Sequence, residues 1–120
     1  MKKMNLALMG LLLTASGSFA QAADLAAGQA AFQKYTCATC HGADAKTSTL
    51  PTYPILAGQH ADYLKHALRS YKRGQAGAPD SANVRKDPVM GAMANQLSPT
   101  DIENISAWLA SLPSPLGVRK

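Results

Sequence analysis

Apolar residues recur with the period of a helix in three stretches of this chain. Over residues 24–35, Leu25, Gly28, Phe32 and Tyr35 stand at i, i+3, i+7 and i+10, which is one face of a helix. Over residues 61–73, Leu64, Leu68 and Tyr71 repeat the spacing, and Gly74 reads as a stop. The third stretch has the best start signal: Ser98 as N-cap, Pro99 at the first helical position and Asp101 three residues on. Its stripe is Ile102, Ile105, Leu109 and Leu112 with Trp108 alongside, and Pro113 ends it. Nothing alternates with a period of two over a useful length, so the pattern predicts an all-α domain with three main helices. Gly28 has two readings, a close crossing of the first and last helices with Phe32 and Trp108 at the contact, or a tolerated poor helix former. Residues 74–88, rich in Gly, Ala and Pro, read as a loop, and Pro88 biases the chain before Met90 towards an extended form.

The first residues follow a different pattern. Lys2 and Lys3 precede an apolar run at residues 6–15, and Ser18-Phe19-Ala20 and Ala20-Gln21-Ala22 both offer small residues to a signal peptidase. Residues 1–22 therefore read as a signal peptide cleaved within 20–23. The run is far short of the roughly 20 residues that span a bilayer, and no cysteine follows it, so neither a permanent membrane anchor nor a lipid anchor is expected. Residues 23–120 form one small domain, with no internal repeat or linker to divide them.

Both cysteines of the chain fall in Cys37-Ala38-Thr39-Cys40-His41. Two thiols one helical turn apart can each add to one vinyl group on a haem edge, and an imidazole directly after them can ligate the iron. Other uses of these letters fit less well. A thioredoxin-like pair wants a βαβ context that the periodicity does not provide. A zinc site could recruit His60 and His66, but these lie far from Cys40 and six residues apart on one helix, on different faces. A Cys37–Cys40 disulfide would close too small a loop to stabilise much. One covalently bound haem c is the expected cofactor, and a chain this small would depend on it for much of its core. Covalent attachment of this kind is completed outside the bacterial cytoplasm, so the leader and the motif together point to the periplasm.

Six-coordinate iron needs a second axial group. Once the leader is removed, Met90 and Met93 are the thioethers available, either of which could instead fill a gap in the core. The preceding loop suggests a ligand reaching over the haem from irregular backbone. His60 and His66 are the other candidates.

These residues resemble the class I cytochromes c, in particular the small bacterial periplasmic single-haem type and one half of the tandem di-haem proteins. The stretches that carry the likeness are Cys37 to Gly42, Tyr53-Pro54-Ile55-Leu56-Ala57-Gly58-Gln59, Tyr63-Leu64, Met90-Gly91-Ala92-Met93 and Leu97-Ser98. The resemblance implies a cytochrome c fold around the haem. It implies Cys37 and Cys40 as the thioether links, His41 as proximal and Met90 as distal iron ligand. It also implies the carbonyl of Pro54 as acceptor for the ring N–H of His41. The tandem proteins carry two CxxCH motifs and this chain has one, so a single-haem carrier is expected.

The implied work is one-electron transfer between respiratory partners, such as a cytochrome bc complex and a terminal oxidase or reductase, and no residues suggest an enzyme's acid–base pair. Two alternatives are a haem subunit of a periplasmic oxidoreductase, for example one acting on sulfur compounds, and a gas-binding haem protein. The chain carries a formal charge of +5, and loss of Lys2 and Lys3 leaves ten basic residues against seven acidic. Lys65, Arg69, Lys72, Arg73, Arg85 and Lys86 face Asp80 alone within residues 65–86. If clustered, they would steer docking to an acidic redox partner; otherwise they are a solvated helix face. Nucleic acid is not an expected partner of an exported haem protein.

Overall fold

The computed structural model describes residues 22–115, so the leader's charged and apolar stretches lie outside the described residues. Five helices follow in order: α1 Leu25–Lys34, α2 Ala38–His41, α3 Ala61–Gln75, α4 Pro88–Asn95 and α5 Pro99–Ser111, with a 3₁₀ turn at Asp80–Ala82. No strand occurs among the described residues, and α1, α3 and α5 are the three long helices. α1 packs on α5, and α3 packs on both α4 and α5.

The start signals act as spacing predicts. Asp24 caps α1 by accepting the N–H of Ala27. Ser98 accepts the N–H of Asp101 while the Asp101 carboxylate accepts the N–H of Ser98, a reciprocal capping box that closes two otherwise orphaned donors. Along α5, Ile102, Ile105, Trp108 and Leu109 are buried, and Leu112 lies against the same core. Where α1 crosses α5, the Phe32 and Trp108 rings meet at 5.1 Å between centroids, tilted by 52°. This close crossing is the reason for glycine at 28, since a Cβ there would stand 2.1 Å from the carbonyl oxygen of Asn104. The buried stripe of α1 is Gly28, Ala31 and Phe32; Leu25, placed in it by spacing, is 46% exposed.

Two expectations are corrected. Gly74 does not stop α3, which runs on to Gln75. A Cβ at Gly74 would lie 2.1 Å from the carbonyl oxygen of Arg85, so glycine is needed there because the returning chain presses on the helix. The stop comes at Gly77 (φ 75°), with the N–H of Ala78 bonded to the carbonyl of Arg73 and that of Gly77 to Gly74, a Schellman ending. Secondly, Met90 does not sit on irregular backbone but in the first turn of α4. Asp87 (φ −141°, ψ 120°) is extended, as a residue before proline should be, and then acts as N-cap with Pro88 as the first helical residue.

Candidate haem site

α1 delivers the cysteine pair through its own ending. The N–H of Cys37 bonds to the carbonyl of Phe32 at 3.1 Å and that of Thr36 to Gln33 at 2.9 Å, again a Schellman ending, here with Thr36 in the left-handed region (φ 57°). Cys37 is then the N-cap of α2, and its carbonyl accepts the N–H of His41 at 3.0 Å. The result is Cys37, Cys40 and His41 wound on a single turn. Both cysteines are half-buried free thiols. Burial pushes the Cys37 thiol above its ordinary range, which keeps it protonated at neutral pH.

His41 is only 6% exposed. Its Nδ1 lies 3.1 Å from the carbonyl oxygen of Pro54. A carbonyl can only accept, so Nδ1 carries a proton, and in the neutral imidazole the lone pair is on Nε2. The Tyr53 ring flanks the imidazole at 6.1 Å. Pro54 is brought there by a loop folded tightly behind α2. The buried Ala45 accepts the N–H groups of Leu56 and Ala57 at 2.9 and 3.0 Å, and Thr49 donates to the carbonyl of Cys40 at 3.0 Å. Asp44 organises the start of this loop, accepting from the N–H of Thr47 and of Lys46 and from the Thr47 hydroxyl. These bonds lower its pKa from 3.8 to about 2.

On α4, Asp87 accepts the N–H of Met90 itself at 2.7 Å. Met90 and Met93 are both half-buried, one turn apart. The Met93 sulfur accepts a hydrogen bond from the Gln96 amide at 3.8 Å, whereas no such bond reaches the Met90 sulfur among the described residues. His60 and His66 are exposed, and no group of three or more His, Cys, Asp or Glu able to hold a metal gathers among the described residues.

The six basic residues do not form one free patch. Lys65 pairs with Asp62 and Glu103 at 2.7 and 3.3 Å, Arg69 with Glu103, and Lys86 with Asp80 at 2.7 Å. Arg73 donates to the carbonyls of Ala82 and Asn83, and Arg85 lies over the Tyr63 and Tyr71 rings. Lys72 donates to the carbonyls of Asn95 and Leu97. The contacts of Arg73 and Arg85 strap the segment between α3 and α4 against α3.

The Cytochrome c family model matches residues 25–113. The chain belongs to the cytochrome c family. Cytochrome c-554(548) of Halomonas halodenitrificans is 38% identical over 90 residues, covering 75% of this chain and 98% of its own length. A thiosulfate dehydrogenase electron acceptor of Stutzerimonas stutzeri is 32% identical over 119 residues, covering 96% of this chain and 51% of its own length. The crystal structure of reduced recombinant cytochrome c4 from Pseudomonas stutzeri superposes with a TM-score of 0.66 at 39% identity, covering 77% of this chain and 47% of that one. The chain spans about half the length of the cytochrome c4 relatives it matches.

Cytochromes of this family carry covalently bound haem c, and Cys37 and Cys40 stand in its CxxCH motif. The residues present fit that group: two free thiols, a buried imidazole whose Nδ1 is held by a carbonyl, and a half-buried thioether on a capped helix. Asp87 went unread in the sequence, although Asp-Pro is the same N-cap and proline signal that identifies Ser98-Pro99. Asp44 and Lys72 carry no comparable signal, because their bonds depend on where the chain returns.

Proposed function

We propose that this chain is a single-haem electron carrier, in which Cys37 and Cys40 attach the haem, His41 is the proximal ligand and Met90 the distal one. The observation that carries this reading is the bond from His41 Nδ1–H to the Pro54 carbonyl, which leaves Nε2 as the one ring nitrogen available to iron. The haem supplies a one-electron ferrous/ferric couple. The protein's part would be to hold the His41 and Met90 side chains in place through the change of charge. His41 is fixed by Pro54 and by burial, and Met90 by Asp87 and the packing of α4 on α3. A thioether is a soft ligand that favours the reduced state, and burial pushes the same way. No acid–base pair is needed, and the chain acts as a carrier rather than an enzyme.

Residues 1–22 serve in this proposal as an export leader, and the domain over 23–120 works in the periplasm. No helix among the described residues is long and apolar enough to cross a membrane. Docking to an acidic redox partner falls to the basic face of residues 65–86. There Lys65, Arg69 and Lys86 already have carboxylate partners, which leaves Lys72, Arg73 and Arg85 as its main positive charge. A donor such as a cytochrome bc complex and an oxidase or reductase as acceptor suit a free carrier. The thiosulfate dehydrogenase electron acceptor among the relatives favours a second reading, receipt of electrons from a sulfur-compound oxidoreductase. Co-purification with a larger catalytic chain at high salt distinguishes that case.

The test is spectroscopic. In the ferric haem protein, Met90→Ala abolishes the sulfur-to-iron charge-transfer band and Met93→Ala leaves it. Survival of the band in Met90→Ala overturns the ligand assignment, and ready carbon monoxide binding by the reduced wild type points to an open sixth site instead.

A further inference from the structure

We infer that Lys72 is a positioning residue for the distal ligand, its ammonium pinning the far end of the helix that carries Met90. This rests on the assignment of Met90 proposed above and goes beyond it, since Lys72 touches neither methionine in the contacts described. α4 has eight residues, too few to hold helical form in water by itself. Its N-terminal end is held by Asp87, whose carboxylate takes the N–H of Met90. At the other end the last carbonyls of a helix have no intrahelical donor. Lys72 supplies one, with Nζ 3.1 Å from the carbonyl oxygen of Asn95 and 2.6 Å from that of Leu97. A cation there also meets the negative end of the helix dipole.

The base of this bridge is firm. Lys72 projects from the 15-residue α3, which packs against both α4 and α5. Leu97, whose carbonyl takes the shorter bond, is itself buried at 4% exposure and lies at the junction from α4 to the capping box of α5. No ion pair to Lys72 occurs among the described residues, and the hydrogen bonds its ammonium makes go to these carbonyls. Without it, α4 keeps its first turn and the closing bonds of Gln96 and Leu97 to Met93 and Ala94, but the carbonyls of Asn95 and Leu97 lose this donor, and Met90 gives way more readily to a competing ligand.

Ferric haem-loaded protein is titrated with imidazole while the charge-transfer band is followed, for the wild type, Lys72→Met, Lys72→Arg and Asn104→Ala, with Met90→Ala as the control expected to lack the band from the outset. Lys72→Met is expected to keep its haem and bind imidazole roughly tenfold more tightly, the scale of one charged hydrogen bond. Lys72→Arg, which keeps the cation and its donors, restores affinity towards wild type. Asn104 accepts the N–H of Asp24 at the α1–α5 contact, so Asn104→Ala loosens the fold elsewhere and leaves imidazole affinity unchanged. The inference is overturned if Lys72→Met titrates as wild type, or if Asn104→Ala shifts the affinity as much. If the wild type lacks the band and Met90→Ala changes nothing, the failure lies in the assignment of Met90, and the role of Lys72 falls with it. Should Lys72→Met not accumulate as haem protein, Lys72→Ala, which likewise lacks any donor, carries the same expectation and the same overturning result.

Discussion

Gly28 lies so close to Asn104 that a Cβ on the glycine would stand 2.1 Å from the asparagine's carbonyl oxygen and 2.8 Å from Cβ of Trp108. Helix propensity alone favours alanine at such a position by about 1 kcal/mol. The clash is with backbone on one side and the stem of a buried tryptophan on the other, and overpacking of that kind costs roughly 3 kcal/mol. The clash wins, and Gly28→Ala is expected to destabilise the protein by about 2 kcal/mol. Denaturant unfolding followed by tryptophan fluorescence measures it; an unchanged midpoint would mean that the two helices can separate at no cost.

Thr36 provides the opposite case. It holds φ 57° at the end of α1, a conformation costly for a β-branched residue, one position before the first haem cysteine. Thr36→Gly is expected to raise stability by about 1 kcal/mol, the relief of strain partly offset by the freer unfolded chain. Thermal denaturation of the two proteins checks the sign, and a lower melting temperature for the glycine variant refutes the strain.

The capping box predicts a local cost. Ser98→Ala removes the acceptor for the N–H of Asp101 and is expected to cost about 1 kcal/mol. Ser98→Asp, which restores an oxygen acceptor, recovers most of it. A loss confined to a few tenths would show that α5 is held by its packing on α1 and needs no cap.

Acid should find two carboxylates. Hydrogen bonds from Thr47 and Lys46 lower Asp44 from 3.8 to about 2, and the N–H of Ser98, then its hydroxyl and that of Tyr35, hold Asp101 below its ordinary range. A carboxyl whose folded pKa is depressed contributes stability fully present above its unfolded pKa and lost as pH falls through the folded one. For Asp44 that window runs from about pH 4 down to about 2. Asp44→Ala is therefore expected to be less stable near neutral pH and to lose less on acidification. Parallel slopes for wild type and variant between those limits would count against it.

Much of the fold was legible because its signals are local. Ser98-Pro99 and the stripe of Ile102, Ile105 and Leu109 identify α5 without reference to any other segment. Gly74 misled for the converse reason. Glycine at a helix end is ordinarily a stop, but here it answers the carbonyl of Arg85, eleven residues downstream in the chain. The composition of residues 74–88 suggests irregular backbone leading into Met90 and masks the Asp87-Pro88 start signal beside it. Leu25 satisfies the helical period yet is half exposed, since periodicity gives a face and not how far the partner helix extends along it.

By itself the sequence determined the chemistry: two thiols and an imidazole within five residues are a site wherever that turn is placed, because one helical turn brings them together. Tertiary structure decided what each charge and each turn is for. Lys65, Arg69 and Lys86 meet carboxylates, Arg73 and Arg85 strap a returning segment, and Lys72 holds the end of α4, none of which follows from counting cations along a helix. The physical reason is that a hydrogen bond or ion pair depends on separation in space to within an ångström, and for partners as distant in the chain as Lys65 and Glu103 or Lys72 and Leu97 that separation is set only when the helices pack.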